Sequence, residues 1–283
     1  MNALSRIQAI VSHIPPLPAV ALKIMQVIAD PEFSLDRLVR IVRTDPALTA
    51  RILKLCNSSL FSLPREVTTV SDAVAYLGTR NVLKLVVVSC AGPYFREVDK
   101  GYLCRAGEIW RHSVACAIGC QLLADESGHV EPGSAFTTGI LHNLGKIAVG
   151  QVLADSPDSL QNALKVQHGD FLEVERAFAG IDHAAAGSLV ADAWSLPAEM
   201  RRAIRNHHDP EQILQDGELT AIVHVADILA LQLGVGAGAD GLEYPLCEEA
   251  LDRLQLHGRR LATLRIGIMD EFERSADLVR LDA

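Results

Sequence analysis

Between residues 18 and 95 apolar side chains recur every three or four positions, and no stretch keeps the strict alternation of a half-buried strand. This half therefore reads as helices. After Pro15, Pro16 and Pro18, residues 19–29 set Val20, Ile24, Val27 and Ile28 on one face, and Asp30-Pro31 closes the run. Ser34 caps a second helix with Leu35, Leu38, Val39 and Val42 in its stripe. Asp45 supplies a capping carboxylate and Pro46 the first residue of a third helix, which carries Leu48, Ile52, Leu53 and Leu55 to a stop at Asn57, Ser58 and Ser59. Ser71 caps a short helix ending at Gly78, and Thr79 opens another through Val82, Leu83, Leu85, Val86 and Val87.

Around residues 93–101 glycine, proline and charge replace the stripe, which places a boundary between two lobes there. The chain divides into an N-terminal helical lobe (1–95), a second helical lobe (96–240) and a C-terminal segment (241–283) packed on them. Within the second lobe the pattern predicts helices over 104–124, 134–153, 183–194, 198–206 and 218–233. Residues 247–280, with Leu251, Leu254, Leu261, Leu264, Ile268 and Phe272, predict one long amphipathic helix. The expected fold class is all-α.

At about 100–200 residues per domain, 283 residues make one large or two modest domains. A formal charge of −9 argues against general attraction to nucleic acid or anionic membranes. No apolar run approaches the ~18 residues of a membrane span, and Met1 to Arg6 do not resemble a secretory signal, so a cytoplasmic protein without membrane attachment is expected. Six cysteines, at 56, 90, 104, 116, 120 and 247, lack a Cys-x-x-Cys pair and read as reduced core thiols. His112, Cys116 and Cys120 share a helix face, but the small apolar residues around them describe packing rather than a metal site.

Chemistry enters at residues 136–150, where His142, Asn143 and Lys146 interrupt an apolar run. Each buried polar group there costs a few kcal/mol unless it finds a partner. His142 and Lys146 lie one helical turn apart, with Asn143 beside them. Asp227, three residues after His224 in a greasy helix, poses the same problem. His224 reads as a core residue, His208-Asp209 as an exposed turn before Pro210, and His168 and Asp170 as loop residues.

The run at 136–150 resembles the His-Asp signature of the HD superfamily of metal-dependent phosphohydrolases, with Asn143 in place of the aspartate. The stretch from Thr44 to Phe61, followed by Val70 to Gly78, resembles the HDOD family, HD-related output domains of bacterial signalling proteins; the likeness runs from about residue 14 to 233. It implies an all-α fold in which an N-terminal helical bundle packs on a degenerate HD-type domain. It also implies that His112, His142, Asn143, His183, His207, His208 and Asp227 occupy metal-ligand positions, and that Lys146 would contact phosphate if the site were catalytic.

Replacing a bridging carboxylate by Asn143 leaves a neutral oxygen between two repelling dications, which disfavours two-metal catalysis but leaves room for one divalent ion. The Gly-Tyr-Pro element of the related HD-GYP cyclic-dinucleotide phosphodiesterases does not follow His207-His208; Tyr244-Pro245 stands far downstream. The expected function is a non-catalytic signalling output or scaffold module with a protein partner. Its alternatives are a residual phosphohydrolase and a nucleotide-binding module using the same pocket. Partner capture is expected through an exposed apolar patch on or beside the N-terminal lobe, or through the groove between lobes.

Overall fold

The structure, a computed structural model, describes residues 3–28, 35–57, 61, 63, 65–96, 98–155, 171–236 and 244–276. It is all-α, with no strand among the described residues. Helix α1 (Ala3–His13), left unassigned by the apolar pattern, is followed by α2 (Ala19–Ile28), α3 (Leu35–Val42) and α4 (Pro46–Cys56). Asp45 Oδ1 accepts from Leu48 N–H at 3.0 Å and Pro46 opens α4, as its sequence predicts. Asn57 ends α4 and clamps Val67 from both sides, accepting from its N–H at 2.7 Å and donating to its carbonyl at 2.8 Å. The expected stop at Asp30-Pro31 and the cap at Ser34 lie outside the described residues.

Helix α5 (Val70–Ala91) is capped by Thr69, whose hydroxyl oxygen accepts from Asp72 N–H at 3.0 Å; the expected cap, Ser71, is already inside the helix. Gly78, at φ +73° and ψ 164°, breaks α5 where the pattern ends one helix and begins the next. With the short turn behind it, α5 is long and apolar enough to cross a membrane, yet its apolar residues are largely buried against α4 and α7 (Pro132–Leu141).

The expected lobe boundary is a packed junction. Phe95, Val98 and Tyr102 are buried there, and Asp99 accepts from the N–H groups of Gly107 and Ile109, at 2.7 and 3.0 Å. Those bonds start α6 (Glu108–Ser127) four residues later than predicted. One apolar core runs from Ile7 through α5 and α6 to Phe272. Moreover, α1 packs not on the first lobe but on α8 (Lys146–Leu153), α9 (Phe171–Ala179) and α10 (His183–Ala193).

Two predicted helices are each split in the structure. Residues 134–153 form α7 and α8, joined by the tight turn 142–145 with bonds to the third residue back, such as Lys146 N–H to Asn143 O at 3.0 Å. The backbone of α10 presses against that turn: a Cβ on Gly145 would collide with the His183 carbonyl. Of residues 247–280, those described likewise form α14 (Glu248–Arg253) and α15 (Arg259–Arg274), and 277–280 lie outside the described residues. Gln255, at φ +54°, closes α14, with Leu256 N–H on Leu251 O at 2.9 Å and Gln255 N–H on Asp252 O at 3.0 Å. Between these lie α11 (Ala198–Asn206), α12 (Pro210–Gln215) and α13 (Glu218–Gln232). The exposed large apolar side chains among the described residues, Leu4, Tyr76, Leu103 and Ile266, are scattered over four segments.

Candidate metal centre

Ends of helices deliver most of the polar residues to one buried place. His142 is the C-cap of α7, His183 the first residue of α10, and His207 and His208 follow α11 directly. His112 and Asp227 come from within the long helices α6 and α13. The rings form a connected series, with centroids 5.3 Å apart for His112 and His142, 5.3 Å for His142 and His207, 5.5 Å for His207 and His183 and 5.1 Å for His183 and His208. Their ligand atoms fall into two groups, each within 4.8 Å: His112, His142 and Asp227, and His183, His207 and His208. The expected convergence is therefore present, and no cysteine joins either group among the described residues. Cys116 and Cys120 lie 3.9 Å apart in the core, where burial pushes the Cys116 thiol up.

Nδ1 of His142 donates to Gly139 O at 2.7 Å and Nδ1 of His207 to Ile204 O at 2.8 Å, each using a carbonyl at its own helix end. A carbonyl only accepts, so the proton sits on Nδ1 and Nε2 keeps its lone pair. Nε2 of His142, His183 and His207, Oδ1 of Asn143 and Oδ2 of Asp227 are all buried without a hydrogen-bond partner. Buried acceptors without donors are costly, and five in one cluster form a donor set suited to a cation. His112 is engaged on both sides, with Nε2 2.7 Å from Asp227 Oδ1 and Nδ1 3.3 Å from Val235 O.

Electrostatics agree with that reading. Burial holds His142 below the ordinary imidazole range and His207 and His208 well below it, so these rings are neutral. Burial also acts to raise Asp227, but the hydrogen bond with His112 and the close approach of His142 outweigh it and keep the carboxyl well below the usual carboxylate range. Neutral imidazoles facing an ionised carboxylate are in the protonation state that metal binding requires. Asp227 also approaches His142 at 3.4 Å and His208 at 3.5 Å.

One sequence reading changes. His208 is not in an exposed turn: its side chain is 6 % exposed and stacks on Tyr244, ring centroids 4.2 Å apart, so the downstream tyrosine reaches the paired histidines after all. Asp209 instead caps α12, accepting from Glu211 and Gln212 N–H. Lys146 lies against Tyr102, with Nζ 4.9 Å from the ring centre. His224 is a core residue as expected: Nδ1 donates to His207 O at 2.8 Å and Nε2 accepts from Cys247 N–H at 3.0 Å, which pins the His207-His208 turn. His168 and Asp170 lie outside the described residues.

The sequence reading passed over Glu175 and Tyr102. Glu175 is fully buried in α9 and accepts from the Nδ1–H and backbone N–H of His183 and from the hydroxyl of Tyr102. Its one visible signal was position: an acid one turn after Phe171 on the apolar face of its helix.

Residues 14–210 match the HDOD domain family. An HDOD domain protein of unknown function from Geobacter sulfurreducens has a similar structure, with a TM-score of 0.75 at 23 % identity over 98 % of both chains. A candidate signal-transduction protein from Marinobacter aquaeolei VT8 gives a TM-score of 0.77 at 22 % identity, over 98 % of this chain and 64 % of that one. An uncharacterized protein of Treponema pallidum (strain Nichols) is 26 % identical over 203 residues, 70 % of this chain. The chain spans only 38 % of that relative's length. With the family match covering well over half of the chain and its histidines gathered in the helical core, the protein belongs to the HDOD family.

Proposed function

We propose that this protein is a non-catalytic signal-transduction module whose HD-type centre binds a single divalent cation and whose output is contact with a protein partner. One observation carries the reading: the centre is closed, with His142, His183 and His207 at 0 % exposure and Asp227 at 2 %, and neutral Asn143 stands where an HD enzyme has its bridging carboxylate. A phosphoester must reach the metal to be hydrolysed, and a buried centre favours a structural or regulatory ion over a turnover site. His112, His142 and Asp227 would hold the ion, together with His183, His207, His208 and the Asn143 oxygen. When bound, such an ion supplies charge to draw these groups together and, in open sites, Lewis acidity toward phosphate and water.

Partner contact falls to the N-terminal region and the seam behind it. Two cavities of about 540 and 490 Å³ open along that seam, one lined by Ile10, Ile14 and Ile147, the other by Leu48, Arg51 and Cys90, with Tyr94 common to both. They favour capture at the seam over the exposed apolar patch expected from sequence. Metal analysis combined with a phosphodiesterase screen tests the proposal. About one divalent ion per chain and no turnover above a His142→Ala control is the expected result. Chelator-sensitive hydrolysis would overturn it in favour of a phosphohydrolase; tight nucleotide binding lost on mutation of Asp227 would favour a nucleotide-sensing module.

A further inference from the structure

The histidines of the centre differ in what holds the nitrogen turned away from it. For His112, His142 and His207 it faces a backbone carbonyl, that of Val235, Gly139 or Ile204. For His183 it is a carboxylate. Glu175 Oε2 accepts from His183 Nδ1–H at 2.8 Å and from His183 N–H at 2.7 Å. Its other oxygen accepts from the Tyr102 hydroxyl at 2.5 Å, and Glu175, Tyr102 and His183 are all 0 % exposed.

A carboxylate behind a ligand histidine does three things: it orients the ring, holds the proton on Nδ1 and makes Nε2 more electron-rich. Here each has an object. Nε2 of His183 is left buried without a protein partner and faces the rings of His207 and His208. That half of the centre consists of three imidazoles, with Asp227 approaching only His208, at 3.5 Å, whereas the other half includes Asp227 itself. Glu175 therefore places a carboxylate one hydrogen bond behind the His183 ring, which Asp227 does not contact. Desolvating a carboxylate completely is expensive, and a purely structural link between α9 and α10 could be made by apolar packing without that cost.

We propose that Glu175, seated by Tyr102, is the positioning residue that makes His183 a ligand and sets the divalent-cation affinity of the His183, His207 and His208 half of the centre. The inference rests on the metal-centre reading above. Tyr102 belongs to the packed junction between the lobes, so the same hydrogen bond ties that junction to the centre.

The test is a Co²⁺ titration of the metal-free full chain, followed by equilibrium dialysis and by the visible absorption of the bound ion. Glu175→Gln keeps the volume and removes the charge; it is expected to weaken Co²⁺ binding by about 10–100-fold and to shift the absorption bands. Tyr102→Phe leaves the carboxylate but removes one of its donors, so a smaller loss in the same direction is expected. A wild-type chain that binds no Co²⁺ would bring down the metal-centre reading and this inference together. Tight wild-type binding that Glu175→Gln leaves unchanged, in affinity and in spectrum, would overturn the role of Glu175 alone. If Glu175→Gln does not fold, Tyr102→Phe decides: unchanged affinity together with an unchanged ¹⁵N signature of the His183 ring overturns the proposal.

Discussion

Up to Ala91 the described residues bury one polar side chain, that of Ser89, whereas after Ala91 they bury seventeen, among them His112, His142, Lys146, Glu175, His183, His207, His224 and Asp227. The two regions share one continuous apolar core, so the difference is not one of compactness. Burying aliphatic side chains is favourable wherever they pack, at about 25 cal/mol per Å². Burying charges and imidazoles is unfavourable unless something receives them. Packing thus accounts for the buried side chains of the first region. The second retains a polar cluster whose presence packing does not explain, with two groups of residues that could hold a metal ion.

The sharpest way to break this contrast is Asp227→Ala. Removing the carboxylate strands His112 Nε2 in the core, and breaking a buried pair from one side costs about 3–5 kcal/mol, read by chemical denaturation of the metal-free protein. Divalent-ion binding should be lost as well. Ile52→Ala, at a fully buried position of α4 in the first region, should cost about 2–5 kcal/mol and leave the stoichiometry of metal uptake unchanged in the folded fraction. If Ile52→Ala lowered metal affinity as much as Asp227→Ala, the two regions would not be separable in function.

Acid provides the next test. Burial lowers the pKa of His142, His207, His208 and His224 from an ordinary value of 6.5, so the unfolded chain binds more protons than the folded one as pH falls below that range. Stability must then decrease with falling pH, by about 1.4 kcal/mol per pH unit for each proton taken up on unfolding, until the lowered folded values are reached. Asp227 adds a loss of the same sign further into acid: its stabilisation is present above the ordinary carboxylate value and disappears as pH falls through its depressed folded pKa. Denaturation midpoints measured from pH 8 to 5 check the histidine part. A flat profile would mean that the rings are not held neutral.

The smallest expected effect is that of Asn143→Asp. An anionic oxygen beside the ion should raise divalent affinity by about tenfold, or 1.4 kcal/mol, while the metal-free variant loses stability through an added buried charge. Isothermal titration and thermal melts with and without metal separate the two. Equal melting temperatures in both states would place Asn143 away from the ion.

Much of the fold was legible because local signals act over a few residues. Asp45-Pro46 started α4, Gly78 broke α5, and residues 198–206 formed α11 within the predicted bounds. Two of the errors are missed breaks within predicted helices. Residues 134–153 and 247–280 have unbroken apolar periodicity, and their interruptions come from the backbone of α10 at Gly145 and from the left-handed closure at Gln255. The order of histidines was visible in the chain, but the exposed turn assigned to His208 proved to be a buried stack on Tyr244.

By itself the sequence determined the helical class, most helix starts and the residue types of the centre, because caps, breakers and a 3.6-residue period depend on neighbours in the chain. Only the tertiary structure decided which helix ends meet, that α1 packs on α8, α9 and α10, that residues 95–102 form a packed junction and that Glu175 and Tyr102 stand behind His183. Those facts depend on contacts between residues far apart in the chain, 115 for His112 and Asp227 and 149 for Arg6 and Asp155, which no local pattern encodes.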